Sequence, residues 1–149
     1  MKNMNRYLSL VALIISLISC QSEDNPNRYE LIPYPNDMEQ MSGRFSFDDD
    51  TQIFISPECG DEVNEILAQF AEQFGKTAEK EGKNMMVVKI DTTMSQEAYR
   101  LNISKKKIEI TAATPNGVRY ALQTIKQLLP VAIYGETLSA DENWSVPCT

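Results

Sequence analysis

Adjacent acidic residues are the groups in this chain whose type and spacing are closest to those of a catalytic site. Residues 60–62 read Gly-Asp-Glu, and neighbouring Asp and Glu side chains can serve as an orienting group and a general acid. The same acids at the start of a predicted helix also complement the positive end of its dipole. No other polar groups converge on them in the sequence, so Asp61 and Glu62 are interpreted as structural rather than catalytic.

The other candidates for chemistry also have structural explanations. Residues 48–50 are three aspartates, which we predict to form a solvated turn because they lack the alternating spacing of a calcium loop. Asp141 and Glu142 lie in a stretch without periodicity, and Trp144 is either a platform for sugar stacking or an apolar residue that docks against a neighbouring module. The chain has no histidine, which excludes His-based triads and the HExxH zinc motif. We therefore predict no catalytic, metal-binding or cofactor-binding residue.

Cys20 is the one residue to which we assign a modification. Basic Lys2 and Arg6 precede an apolar run of about a dozen residues, which suits a signal peptide and is too short to span a bilayer. Residues 17–20 (LISC) then resemble the bacterial lipobox, in which the cysteine thiol is acylated before cleavage. We expect a signal peptide over 1–19, a lipidated Cys20 and a flexible tether over 20–28, which makes the chain an exported lipoprotein of the outer membrane or cell surface. The alternative is an ordinary signal peptide with an unrelated cysteine.

Charge excludes one class of partner. Removing residues 1–19 takes away Lys2 and Arg6 and no acid, so the net charge changes from −7 to −9. Nucleic acid is not expected to bind, because phosphate recognition depends on clustered positive charge. The basic run at 105–107 is interpreted as a solvated hairpin turn. Cys59 and Cys148 can pair in an oxidising compartment, but the sequence does not fix their distance.

Hydrophobic periodicity predicts the elements that carry these residues. Apolar stripes at helical spacing run from Val63 to Phe74 and from Val118 to Leu129, the second helix opening at Thr114 and Pro115. Alternating patterns predict strands at 43–47, 52–55, 86–90, 99–103 and 108–112, and residues 31–35 carry two prolines that permit only an edge strand or an extended lead-in.

The predicted order is therefore β-β-β-α-β-β-β-α. Each helix has one apolar stripe, so we predict an α+β two-layer sandwich, a mainly antiparallel sheet with two helices packed on one face. The domain is expected over 29–135, with a linker over 136–149.

Several segments resemble the N-terminal domain of β-N-acetylhexosaminidases, glycoside hydrolase family 20. They are residues 31–36 (LIPYPN), 43–47 (GRFSF), 51–53 (TQI), 97–103 (EAYRLNI), 108–112 (IEITA) and 117–129 (GVRYALQTIKQLL). The resemblance implies an α+β domain that precedes a (β/α)₈ barrel, where an adjacent Asp-Glu pair acts on the glycoside and the substrate's N-acetyl oxygen replaces the enzyme nucleophile. Residues 144–149 resemble the linker into that barrel, and the role of the barrel pair is not carried over to Asp61 and Glu62.

Function is accordingly expected from the parent protein rather than from this segment. The leading hypothesis is the non-catalytic N-terminal domain of a lipid-anchored exo-β-N-acetylhexosaminidase. Its partners would be the barrel of the same polypeptide, glycans with terminal N-acetylhexosamine, and the membrane through the lipid, with no cofactor. The alternatives are a stand-alone surface glycan-binding lipoprotein, and a domain that precedes a related barrel such as that of an α-glucuronidase or an O-GlcNAc hydrolase.

Overall fold

The computed structural model describes residues 29–78, 82, 84–135 and 142–149. Within them lie seven strands, two α-helices and two short 3₁₀ turns, at Pro57–Cys59 and Val131–Tyr134. The strands are β1 (Arg44–Ser46), β2 (Gln52–Ile55), β3 (Lys76–Ala78), β4 (Met85–Ile90), β5 (Tyr99–Ile103), β6 (Lys107–Ala112) and β7 (Ser145–Pro147), and the helices are α1 (Gly60–Phe74) and α2 (Pro115–Leu128). No helix in this part of the chain has the length and apolar character needed to cross a membrane.

The main sheet is mixed, with strand order β3-β2-β4-β6-β5. β5 and β6 form the predicted antiparallel hairpin, whereas β2 pairs in parallel with both β3 and β4, and β4 pairs in parallel with β6. The expectation of a mainly antiparallel sheet is therefore wrong for this sheet. The reason is connectivity: α1 lies between β2 and β3, and a strand that returns through a helix pairs in parallel with the strand it left. β5 lies between β4 and β6 in the chain and runs in the opposite direction, which leaves β4 and β6 parallel.

The two-layer α+β prediction is confirmed. Core residues at matched positions on β2, β4 and β6, such as Ile53, Met86 and Ile108, lie on one face of the sheet and are fully buried. The buried stripes of both helices pack into the same cluster. α1 ends where Gly75 donates a backbone hydrogen bond to Ala71, and α2 begins at Pro115, which has no N–H to leave unsatisfied.

A second, two-stranded sheet closes one end of the core. β1 pairs antiparallel with β7, with Phe45 opposite Val146, and both side chains are fully buried. Phe47 follows β1 and contacts Phe45, Phe70 and Phe74, with ring centroids 5.1–5.8 Å apart. This aromatic cluster joins the small sheet to α1.

Three predicted boundaries change. Residues 31–35 form no strand and serve as the extended lead-in, because their prolines cannot donate to a ladder. Residues 76–78, where no strand is predicted, form β3 beside β2. Residues 136–149 were expected to be a linker, yet their last part is built into the domain as β7, and Ser145, Val146 and Cys148 are buried. The polarity of the preceding stretch hides this short strand from the sequence pattern.

Candidate functional site

The acids at the start of α1 make a surface contact and no catalytic group. Asp61 and Glu62 occupy the first turn of the helix, where they complement its dipole. The Oε1 atom of Glu62 lies 3.4 Å from Nη2 of Arg119 on α2, and the two side chains are 60% and 52% exposed. An ion pair this exposed contributes little energy, since water screens both charges. Its effect is to link the two helices across their outer face.

The aspartates at 48–50 form the predicted turn, and one of them organises it. The Asp48 carboxylate accepts hydrogen bonds from the backbone N–H of Asp50 and the hydroxyl of Thr51, both at 3.0 Å. The same carboxylate accepts from the side-chain amide of Asn84 at 3.0 and 3.2 Å. This links the start of β2 to the start of β4. In the described part of the chain, no group of three or more His, Cys, Asp or Glu side chains is arranged to hold a metal ion.

Trp144 packs into the edge of the core instead of standing free as a platform. Its ring meets Phe74 edge-on, with centroids 5.8 Å apart at 70°. Its backbone carbonyl accepts a hydrogen bond of 2.8 Å from the N–H of Phe47, just beyond the β1–β7 pair. The ring therefore packs against the core of this domain, which is neither the free platform nor the docking against a neighbouring module that the sequence suggested. Glu142 is half-buried in the stretch leading to β7, and Asp141 and Cys20 lie outside the described residues.

The two described cysteines are free thiols at different ends of the sheet. Cys59 donates its S–H to the carbonyl of Val88 on β4, at 3.5 Å, and burial raises the pKa of this thiol, with a further contribution from the charge of Glu58. The backbone N–H of Cys148 donates to the carbonyl of Gly43. The next residue, Thr149, pairs with Ile103 at the edge of β5. Both thiols are buried and free, so the structure shows no disulfide between them.

A shallow groove of about 310 Å³ runs between the outer faces of α1 and α2. Its walls carry side-chain amides and both signs of charge, including Gln69 and Gln73 from α1 and Gln123 and Lys126 from α2. Ile66, a member of the predicted apolar stripe of α1, is only half-buried because it forms part of this groove. The helical pattern alone could have placed these polar residues opposite the core, but not opposite each other.

A larger groove of about 770 Å³ lies along the outer edge of β5. The lead-in at residues 31–35 and the residues after it form one wall, which includes Pro33, Tyr34 and Met38. Tyr99, Leu101 and the last residue, Thr149, contribute to the other side. No sequence signal pointed to this groove, because it depends on the way the lead-in and the carboxyl end meet at one sheet edge.

The acidic side chains in the described part of the chain are spread over turns, loops, both ends and the middle of α1, and strand β6. The chain belongs to glycosyl hydrolase family 20, because the family model described as domain 2 of that family matches residues 28–149.

Relatives of known name support the assignment and show how much of them the chain represents. A β-hexosaminidase of Porphyromonas gingivalis is 25% identical over 141 residues, which are 83% of this chain and 18% of the relative. A β-hexosaminidase of Vibrio furnissii is 26% identical over 100 residues, which are 66% of this chain and 16% of the relative. The chain therefore spans less than a fifth of either protein.

Solved structures share the fold. The N-acetyl-β-hexosaminidase of Streptomyces plicatus, in complex with Thio-NAglucal, superposes with a TM-score of 0.68 at 22% identity, over 80% of this chain and 25% of the other. The family 20 enzyme of Streptomyces coelicolor gives 0.67 at 21% identity, over 78% and 24%. An exo-β-N-acetylglucosaminidase of Vibrio harveyi gives 0.58 at 25% identity, over 78% and 17%.

Proposed function

We propose that this chain is the non-catalytic N-terminal domain of a lipid-anchored exo-β-N-acetylhexosaminidase. The observation that carries the proposal is the match of residues 28–149 to domain 2 of family 20, together with the small share of each relative that the chain covers. In this proposal a (β/α)₈ barrel of the same polypeptide removes terminal N-acetylhexosamine by substrate-assisted, retaining catalysis. A barrel of that kind needs about 200 residues or more, beyond the residues of this domain.

The arrangement of acids supports the non-catalytic part of the proposal. The carboxylates of Glu62 and Asp48 are the best placed for chemistry. The Glu62 carboxylate pairs with Arg119, and the Asp48 carboxylate accepts hydrogen bonds from residues of its own turn. The domain would instead act by carrying the barrel and connecting it to the membrane anchor.

An activity assay tests this proposal. The chain without its signal peptide, residues 20–149, should release no nitrophenol from a nitrophenyl N-acetylglucosaminide above buffer background. The longer parent protein should release it readily. A Glu62→Gln variant of the chain is the matched control for any trace rate. If the chain hydrolyses the substrate and the Glu62→Gln variant does not, the non-catalytic assignment is wrong. If the parent protein is inactive, the proposal that it is a β-N-acetylhexosaminidase is wrong.

The anchor is a separate part of the proposal and has its own test. Cys20 is proposed to carry the lipid, on the basis of the basic segment, the short apolar run and the LISC sequence at 17–20. Metabolic labelling with palmitate should mark the wild-type chain, which should fractionate with membranes. The Cys20→Ser variant should lose the label, and a labelled variant would refute the assignment of this residue.

The stand-alone glycan-binding hypothesis predicts a different result. In that hypothesis Trp144 is the candidate sugar platform, and its ring is packed against Phe74. Titration of the chain with chitooligosaccharides should therefore show no saturable binding. Saturable binding that is lost in a Trp144→Ala variant with an unchanged fold would favour that hypothesis over an accessory domain.

A further inference from the structure

The last residue of the chain already pairs with the outer edge of the main sheet. The N–H of Ile103 donates to the carbonyl of Thr149 at 2.9 Å, and the N–H of Thr149 donates to the carbonyl of Ile103 at 3.1 Å. Two residues that exchange both hydrogen bonds form the closely bonded pair of an antiparallel ladder. Thr149 thus occupies the first position of a strand that runs antiparallel to β5.

The pairing fixes which groups of β5 are available to that strand. Backbone groups alternate in direction along a strand, so Leu101 and Tyr99 present their N–H and C=O on the same side as Ile103, away from β6. Among the described residues, Thr149 alone makes a backbone hydrogen bond to this side of β5. An uncovered strand edge is a template for pairing with further polypeptide.

The groove along β5 has the dimensions and position of a strand site. It begins at Thr149, follows Tyr99 and Leu101, and is closed on its other side by the lead-in segment. Leu128 of α2 and Leu31 of the lead-in add apolar surface. The volume of about 770 Å³ accommodates several residues of extended chain, since one strand residue advances about 3.3 Å.

We propose that the polypeptide joining this domain to the catalytic barrel fills the groove as an added strand antiparallel to β5. The inference rests on the proposed function, in which a barrel follows in the same polypeptide. The register is set by the Thr149–Ile103 pair: the second residue after Thr149 lies opposite Leu101, and the fourth lies opposite Tyr99. Because directly opposed residues share a face of the sheet, the second residue is apolar and points toward Leu128 and the helix layer.

Hydrogen exchange at single amides tests the occupant. In the chain ending at Thr149, the Leu101 amide should exchange rapidly, and in the parent protein it should be slowed about a hundredfold, as expected for a bonded amide in a strand. The Ile110 amide, inside the sheet on β6, serves as the control and should be protected in both. A rapidly exchanging Leu101 amide in an active parent would refute the added strand while leaving the proposed function intact.

A second experiment tests the register without using the parent. The chain is extended after Thr149 by Thr-Val-Thr-Val, which should slow exchange at Leu101 about tenfold or more relative to the original chain. Proline at the second added position removes the N–H that donates to the Leu101 carbonyl, which should detach the added strand and return the Leu101 amide to rapid exchange. Proline at the first added position, whose N–H faces away from β5, should preserve it. Equal effects of the two prolines would overturn the register.

The same samples identify a competing occupant. If a second copy of the chain covers β5, the unextended chain should form a dimer by light scattering, and its Leu101 amide should become protected as concentration rises. That result would overturn the proposal. A monomer with a rapidly exchanging Leu101 amide is the expected result.

Discussion

Replacing Gly117 with alanine separates two opposing effects at the start of α2. In an exposed helix, Gly→Ala stabilises by about 1 kcal/mol, because alanine has less backbone entropy to lose. Gly117, however, is the point at which the helix approaches the sheet. A Cβ atom added there would lie 2.7 Å from the backbone carbonyl oxygen of Ala98 and 3.0 Å from the Cβ of Ala112.

The close contacts should outweigh the helix propensity. The Ala98 carbonyl accepts a hydrogen bond from the N–H of Ala113, and Ala112 belongs to β6, so neither neighbour can rotate out of the way. Relief requires the helix to move away from the sheet, and overpacking of this kind typically costs about 1–3 kcal/mol or more. We expect Gly117→Ala to lower the free energy of unfolding by up to about 2 kcal/mol after the propensity gain is subtracted.

Urea denaturation monitored by the fluorescence of Trp144 measures the effect. Asn116→Ala is the matched control, because this residue precedes Gly117 in the same helical turn and is exposed. The control should change the free energy of unfolding by less than about 0.7 kcal/mol, in the stabilising direction. If Gly117→Ala also stabilises the chain, the close approach of α2 to β6 is not a constraint and the reasoning fails.

Three further predictions concern the core, the helix surface and a buried thiol. Phe47→Ala should lower the free energy of unfolding by about 3–5 kcal/mol in urea melts, because it removes the ring at the centre of the aromatic cluster, while the exposed Tyr134→Ala should change it by less than about 0.5 kcal/mol. A double-mutant cycle with Glu62→Gln and Arg119→Gln should give a coupling of about 0.5 kcal/mol or less, and a coupling several times larger would show that the pair organises the two helices. Burial raises the pKa of Cys59 in the folded chain, so the contribution of this thiol to the free energy of unfolding should be retained below its ordinary pKa of about 8.5 and lost as pH rises through the folded value. Cys59→Ala should flatten this alkaline decline in the free energy of unfolding. An unchanged decline would refute the role of the thiol.

The helices could be predicted from the sequence because each encodes its own limits. Pro115 and Pro130 bracket α2, Gly75 follows α1, and the apolar stripes between them have one period. The pairing of the strands could not be obtained in the same way. Alternation gives the faces of a strand and not its neighbour, so it could not indicate that β1 pairs with β7, about a hundred residues further along the chain.

The surface features were harder to foresee than the fold. The turn at Asp48 could be predicted from local composition, whereas its hydrogen bond to Asn84 depends on the parallel alignment of β2 and β4. The groove along β5 likewise requires Pro33, Leu101 and Thr149 to meet, and these residues lie far apart in the chain. Charge and periodicity describe each segment separately, so they cannot predict contacts between residues that lie far apart in the chain.

The β1–β7 pair has a mechanical consequence. Met41 and Gly43, just before β1, bond to Cys148, just after β7, so the flanking segments leave this antiparallel pair at the same end. Once Ile32 has separated from Gln127 and Thr149 from Ile103, a pull on these segments would load the hydrogen bonds of the pair one after another, as in unzipping, and not all together, as in shear. The force needed to open this pair should therefore be low, even though the thermal stability of the domain is set by the aromatic core behind it. Under drag, the domain would yield as a short extensible link and spare whatever it carries.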